Sequence, residues 1–203
     1  TMPQTDLRVI KTLKQIDNAL LTLLSDMPFE KITVEQLCQM ALVNRSTFYK
    51  YCKNKFDLMD QYLTRTLTDF REQMDVAFIN ASSDNIHHLV YQKNFEKTLQ
   101  FLYKHKKAYL LLWYLPLETP VFSRMVQVVH NNILEKLTAP SAQDDRLTPY
   151  IDLYARLFAS DMMTLVRWWF RYEGQVSCKD VQTLMVNNMK QGMFRTFRQY
   201  VEG

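Results

Sequence analysis

Residues 44–55 read NRSTFYKYCKNK and place four cations, Arg45, Lys50, Lys53 and Lys55, within eleven residues with no acidic residue among them. Ser46, Thr47, Tyr49 and Tyr51 put hydroxyls in the intervals. Cations interleaved with hydroxyls suit a polyanion. Ammonium and guanidinium groups neutralise phosphates, Arg reads the guanine edge, and short hydroxyl side chains meet base edges or phosphates. If the segment is helical, Arg45 and Tyr49 share one side, with Ser46 and Lys50 beside them. Phe48 and Tyr51/Cys52 then turn toward other elements. The plain alternative is a solvated, basic helix end.

Such a face acts only if neighbouring elements hold it outward. Upstream, Thr33-Val34-Glu35-Gln36 is a capping box opening a short helix to about Ala41. Asn44 can cap a second short helix from Arg45 to Tyr51, and Asn54 to Asp57 repeats the capping logic for a longer helix to about Ala77. Two short helices joined by Leu42, Val43 and Asn44, followed by a capped third, describe a helix-turn-helix. A helix of this size fits the major groove. Lys55 stands at a helix N-terminus, where backbone amides already favour phosphate.

The stretch 31–59, KITVEQLCQMALVNRSTFYKYCKNKFDLM, resembles the helix-turn-helix signature of TetR/AcrR-type bacterial transcriptional regulators. The resemblance lies in Thr33 before the first helix, Ala41 with Val43, Thr47-Phe48-Tyr49, and Lys53-Asn54-Lys55 before Leu58. It implies phosphate contacts from Thr33, Tyr49 and Lys55, and base-edge or groove contacts from Arg45, Ser46, Thr47, Lys50 and Tyr51. It also implies an effector pocket in the remainder of the chain. Two positions depart from the family's pattern. Leu42 stands where a turn glycine is usual, and a left-handed backbone there would cost it about 1–2 kcal/mol. Cys52 stands where an aromatic is common.

The rest of the chain agrees with an all-α protein of about nine helices. Only 3 glycines occur in 203 residues, too few for tight strand turns or phosphate-cradling loops. Apolar residues at Leu7, Ile10, Leu13, Ile16, Leu20, Leu21 and Leu24 predict a first helix over about 6–25. Further helices are predicted to about Lys107, through AYLLLWYL, to Leu137, from Pro149 to about Glu173, and over 179–200. Loops are expected at 79–85 and 138–149. The expected organisation is a DNA-binding domain over 1–60 and a larger ligand-binding and dimerisation domain over 61–203, linked by the helix beginning near residue 55. A net charge of +4 permits nucleic acid without arguing for it alone. Three scattered cysteines without a CxxC pair suit a reducing cytoplasm, and the first fifteen residues lack the apolar core of a signal peptide. The apolar stretch 151–170 carries Asp152, Arg156, Asp161 and Arg167, which marks a buried helix and no membrane span.

Enzymatic and metal sites find little support. The sequence has no GxSxG, P-loop or dinucleotide fingerprint. His87, His88, His105 and His130 lack metal-ligand spacing, so neither a cofactor nor a metal is expected. Asp161 and Arg167 suit an ion pair or a ligand contact equally. Tyr91, Phe95, Trp113, Met125, Met162 and Trp169 are the candidate ligand-binding residues. Each could be plain core; together they could line an apolar cavity.

A homodimer through the last two helices is expected on two grounds. Ile151, Tyr154, Phe158, Met162, Leu165 and Trp169 lie on one side of their helix, with Leu153, Leu157 and Trp168 on another. Gly192, within the predicted last helix, suggests close helix approach. The leading reading is a repressor released from an inverted-repeat operator in double-stranded DNA by a small apolar or aromatic effector. The alternative keeps the DNA-binding head and makes the C-terminal domain a docking surface for a protein partner, possibly in an activator.

Overall fold

The computed structural model describes residues 4–80, 89–138 and 148–192. Among them are nine α-helices and no strand: α1 Gln4–Asp26, α2 Val34–Ala41, α3 Arg45–Tyr51, α4 Lys55–Gln73, α5 Leu89–Lys104, α6 Lys106–Trp113, α7 Val121–Leu137, α8 Thr148–Tyr172 and α9 Cys178–Gln191. Short 3-10 turns occupy Phe29–Lys31 and Ala77–Asn80. The fold is all-α. The expected loop at 138–149 and the expected continuation of the last helix to Tyr200 fall mostly outside the described residues. No described helix is long and apolar enough to cross a membrane.

The chain divides into two compact units. One comprises Thr1–Thr68 with Ala108–Glu118, the other Asp69–Lys107 with Thr119–Gly203. The division falls within α4, as does the boundary expected near residue 60.

In the first unit, local grammar fixes the helix starts. Gln36 N–H donates to Thr33 Oγ1 at 3.2 Å, and Thr33 N–H donates to Gln36 Oε1 at 2.9 Å. Two of the orphan amides of α2 are thereby satisfied. Asn44 Oδ1 accepts from Thr47 N–H at 2.8 Å and from the Ser46 hydroxyl at 2.8 Å. Asn54 Oδ1 accepts from Asp57 N–H at 2.9 Å, while the Asp57 carboxylate accepts from Lys53 N–H at 2.7 Å. The bond from the Lys53 amide is the main reason the Asp57 carboxyl is held below the usual carboxylate range.

Behind these caps lie Ile16, Leu20, Leu37, Phe48, Leu58 and Leu63, all essentially inaccessible. Each contributes about 1.5–3 kcal/mol by its burial. Asp17 on α1 bonds Arg65 on α4 at 2.6 Å; burial pushes its carboxyl above the usual range and Arg65 pulls it partly back. Leu7 and Ile10, expected on the apolar face of α1, are instead 56% and 39% exposed. The buried stripe of that helix is Ile16, Ala19, Leu20 and Leu23.

Leu42 ends α2 with φ 56° and ψ 40°, the one non-glycine residue with positive φ among those described. The turn is left-handed, as the family's glycine would make it, and a leucine carries the strain. Its side chain is 87% exposed, so little packing offsets that strain. Leu42→Gly should therefore raise stability. Relief of about 1–2 kcal/mol is partly offset by about 0.5–1 kcal/mol of extra chain entropy in the unfolded state. A urea midpoint shifted upward checks it; a downward shift would show that Leu42 contributes packing.

In the second unit, α7 and α8 pack as a pair. Val121, Met125, Val129 and Ile133 on α7 are buried, as are Ala155, Ala159, Met162, Met163, Val166, Trp169 and Phe170 on α8. Buried His130 of α7 bonds Asp152 of α8 through Nε2 at 2.9 Å, and Asp152 also accepts from Arg156 at 2.8 Å.

Gly192 corrects the sequence reading. It is the C-cap of α9 with φ 82°, and a Cβ placed on it would meet nothing within 4 Å. Its glycine answers to a positive φ, not to close helix approach.

Candidate functional site

Helix α3 is seven residues long, capped by Asn44 and anchored by Phe48, which is fully buried. Anchoring one side of so short a helix leaves Arg45, Ser46, Tyr49 and Lys50 exposed, with Thr47 and Tyr51 half-buried. The Tyr49 ring stands edge-on against Phe48 at 5.5 Å, and the Lys50 ammonium lies 5.7 Å from the Tyr51 ring centroid. Ring packing restricts these side chains while their polar ends stay in water. Thr33 is exposed at the start of α2, and its hydroxyl is engaged in the capping box. Cys52 takes the place of an aromatic without opening the core. It is 1% exposed, and burial pushes its thiol up to about 11.

Arg45 does not stand free. Its guanidinium donates to Glu35 Oε2 of α2 at 3.0 Å, with both side chains more than 60% exposed. Exposed pairs of this kind contribute about 0.2–1 kcal/mol. A bond of that size restrains the guanidinium without fixing it. Glu35 is the partner of Arg45 that sequence reading missed. It lies ten residues from its partner, and no helical period reports such a pairing.

Lys55 is placed differently from expectation. Its ammonium donates to the backbone carbonyls of Phe29 at 3.0 Å, Glu30 at 2.7 Å and Ile32 at 2.8 Å. It also lies 5.1 Å from the Phe29 ring centroid and 5.5 Å from that of Phe56. An ammonium has three donors, and all three are committed. Lys55 closes the 3-10 turn ahead of α2 and holds the start of α4 against it. The cations left facing water are Arg45, Lys50 and Lys53.

No protein-family model matches this chain. A stretch of 100 residues, 48% of the chain, is 27% identical to YxbF of Bacillus subtilis (strain 168), an uncharacterized HTH-type transcriptional regulator. That match takes in 25% of the length of YxbF. Among solved structures, the chain is similar in fold to the dihydroxyacetone kinase operon activator DhaS. The TM-score is 0.55 at 19% sequence identity, covering 91% of this chain and 97% of that one.

The cavities bordered by described residues take up Phe95, Met162 and Trp169 of the expected ligand-binding residues. Phe95 and Met162 line one apolar cavity in the second unit, together with Phe70, Leu99, Val129 and Val166. Its volume is about 20 Å³, room for about one water. Met125 is fully buried in α7 and is not among the residues that line that cavity. Trp113 belongs to the first unit, where it is buried and stacked on Tyr109 at 6.1 Å. Trp169 lines a separate surface cleft of the second unit. Tyr91 lies in α5, and its side chain is outside the described residues.

Asp161 and Arg167 form no ion pair with each other. Asp161 bonds Asn188, and burial raises its carboxyl. The Arg167 guanidinium lies 3.9 Å from the Phe122 ring centroid, a cation–π contact. Among the described residues no group of three or more His, Cys, Asp or Glu side chains converges as metal ligands would.

Proposed function

We propose that the chain is a TetR-type, DNA-binding transcriptional regulator acting as a homodimer on an inverted-repeat operator in the cytoplasm. The observation that carries this reading is α3. One buried aromatic fixes the helix, and Arg45, Ser46, Tyr49 and Lys50 face outward with no acidic residue between them. In this reading α3 enters the major groove. Arg45, Ser46 and Lys50 meet base edges, with Thr47 and Tyr51 at the groove wall. Tyr49 and Thr33 meet phosphates. Lys55 leaves the list of DNA contacts and becomes a structural residue. The similarity to an HTH-type regulator over 48% of the chain supports the reading.

Base and phosphate contacts separate by experiment. Against an operator selected from random duplexes, Arg45→Ala should cost about 1–3 kcal/mol, confined to one base position per half-site. Tyr49→Phe, which removes a phosphate hydrogen bond and keeps the ring, should weaken binding to all sequences alike and leave base preference unchanged. Unchanged affinity for both variants across a salt series would leave α3 a solvated helix end.

The regulatory sign we propose is repression, relieved when a small apolar or aromatic effector binds the second unit and favours a DNA-incompetent state. Such an effector shifts the equilibrium only by its differential affinity for the two states. One observation favours the alternative of a protein-docking domain. The core cavity, at about 20 Å³, is too small for a metabolite. The two readings part on co-purification with a protein as against a small-molecule shift of operator affinity.

A further inference from the structure

In the second unit, residues 100–104 at the end of α5, the last turn of α8 and the first turn of α9 border a surface cleft of about 320 Å³. That lies within the range of small-molecule sites, whereas the core cavity does not. Trp169, 3% exposed, forms part of its wall, and its indole N–H is fixed by the Val176 carbonyl at 3.1 Å. Tyr103, 49% exposed, stacks on it at 5.2 Å and 23°. The result is an aromatic platform whose inner ring is held and whose outer ring remains open to a further planar partner.

The charges around the platform select what that partner carries. Glu173 is the one acidic residue lining the cleft, and its carboxylate accepts from the Lys106 ammonium and the Tyr103 hydroxyl. Those bonds, the one from Lys106 foremost, hold it below the usual carboxylate range. Its negative charge is thus spent within the cleft, and the Tyr103 ring is tethered at its hydroxyl. Ser177 is likewise committed, capping α9 through Asp180. Lys104 also lines the cleft, is exposed, and has no carboxylate partner among the described residues. An open ring face beside an unspent ammonium suits a flat apolar body bearing one negative charge.

We propose that this cleft binds planar aromatic monocarboxylates, the ring against Tyr103 over Trp169 and the carboxylate at Lys104. As the locus of regulation it rests on the effector reading above; as a binding site it does not. A ligand seated there would join the end of α5 to the junction of α8 and α9.

The test titrates the full chain with 1-naphthoate and with its uncharged analogue 1-naphthamide, followed by calorimetry and tryptophan fluorescence. Naphthoate should bind and quench fluorescence. Lys104→Gln should weaken naphthoate by about tenfold and leave naphthamide within about twofold. Tyr103→Leu, which keeps Trp169 covered, should weaken both by about tenfold. Absence of binding at about 1 mM, or naphthoate binding alike to the wild type and both variants, overturns the proposal. Operator binding is measured on the same samples without ligand. A chain that binds naphthoate but no DNA sinks the regulator and keeps the cleft; a chain that binds DNA but no naphthoate sinks the cleft alone.

Discussion

Lys55→Ala should destabilise the first unit by about 2–4 kcal/mol without altering the salt dependence of DNA binding by whatever remains folded. The magnitude follows from what the ammonium holds. It bonds three carbonyls in the turn over residues 29–32, and those of Phe29 and Ile32 are in part-buried surroundings. A hydrogen bond to a charged donor contributes about 1.5–3 kcal/mol, less where water replaces it. The contacts with Phe29 and Phe56 add about 0.5–1 kcal/mol. Lys55→Arg should rescue little, because a planar guanidinium cannot aim its donors at three converging carbonyls as an ammonium does. Urea unfolding with an unchanged m-value measures the loss. If Lys55→Ala instead leaves stability intact and lowers the salt slope, the ammonium is a phosphate contact after all.

The same residue shows where the sequence stops being legible. Thr33 with Gln36, Asn44 with Thr47 and Asn54 with Asp57 could be read because capping is a three-residue rule, complete within its own segment. The turn at Leu42 was marked only by its departure from the resembled family's glycine, and its left-handed backbone came from the structure. Lys55 reaches 23 to 26 residues back along the chain, and Arg45 reaches ten residues to Glu35. Spacing along one helix reports neither. The expected ligand residues rested on a weaker signal. Trp113, Met125, Phe95 and Trp169 are all large and apolar, and composition cannot separate a side chain that fills space from one that borders it. Tyr103 and Lys104 went unnoticed because a platform exists only once α8 is laid beneath α5. Gly192 misled because a glycine read as helix interior is the C-cap of α9.

Leu157→Glu should turn the proposed dimer into a monomer and lower operator affinity at least about a hundredfold, since the two heads would then bind independently. The stripe that supports this lies along α8. Tyr150, Leu153, Tyr154 and Leu157 are 50–63% exposed, and Trp168 and Tyr172, each 37% exposed, continue it. At 100° per residue these six fall within an arc of about 100°. The buried residues Ala155, Ala159, Met162, Met163 and Val166 occupy the opposite face. Tyr154, expected with Met162 on one side, thus stands on the other. A helix that satisfies its own core with one face and shows six large side chains on the other is suited to a second partner. A second copy is the occupant that also gives an inverted-repeat operator its two heads. Glutamate at 157 would bring two carboxylates toward one apolar seam. The monomer itself should lose less than about 0.5 kcal/mol, because the side chain is already half in water. Sedimentation at micromolar concentration reads the mass directly. A dimer that survives both Leu157→Glu and Tyr154→Glu with operator affinity unchanged would place the seam elsewhere, and this face of α8 would then be open to a different partner.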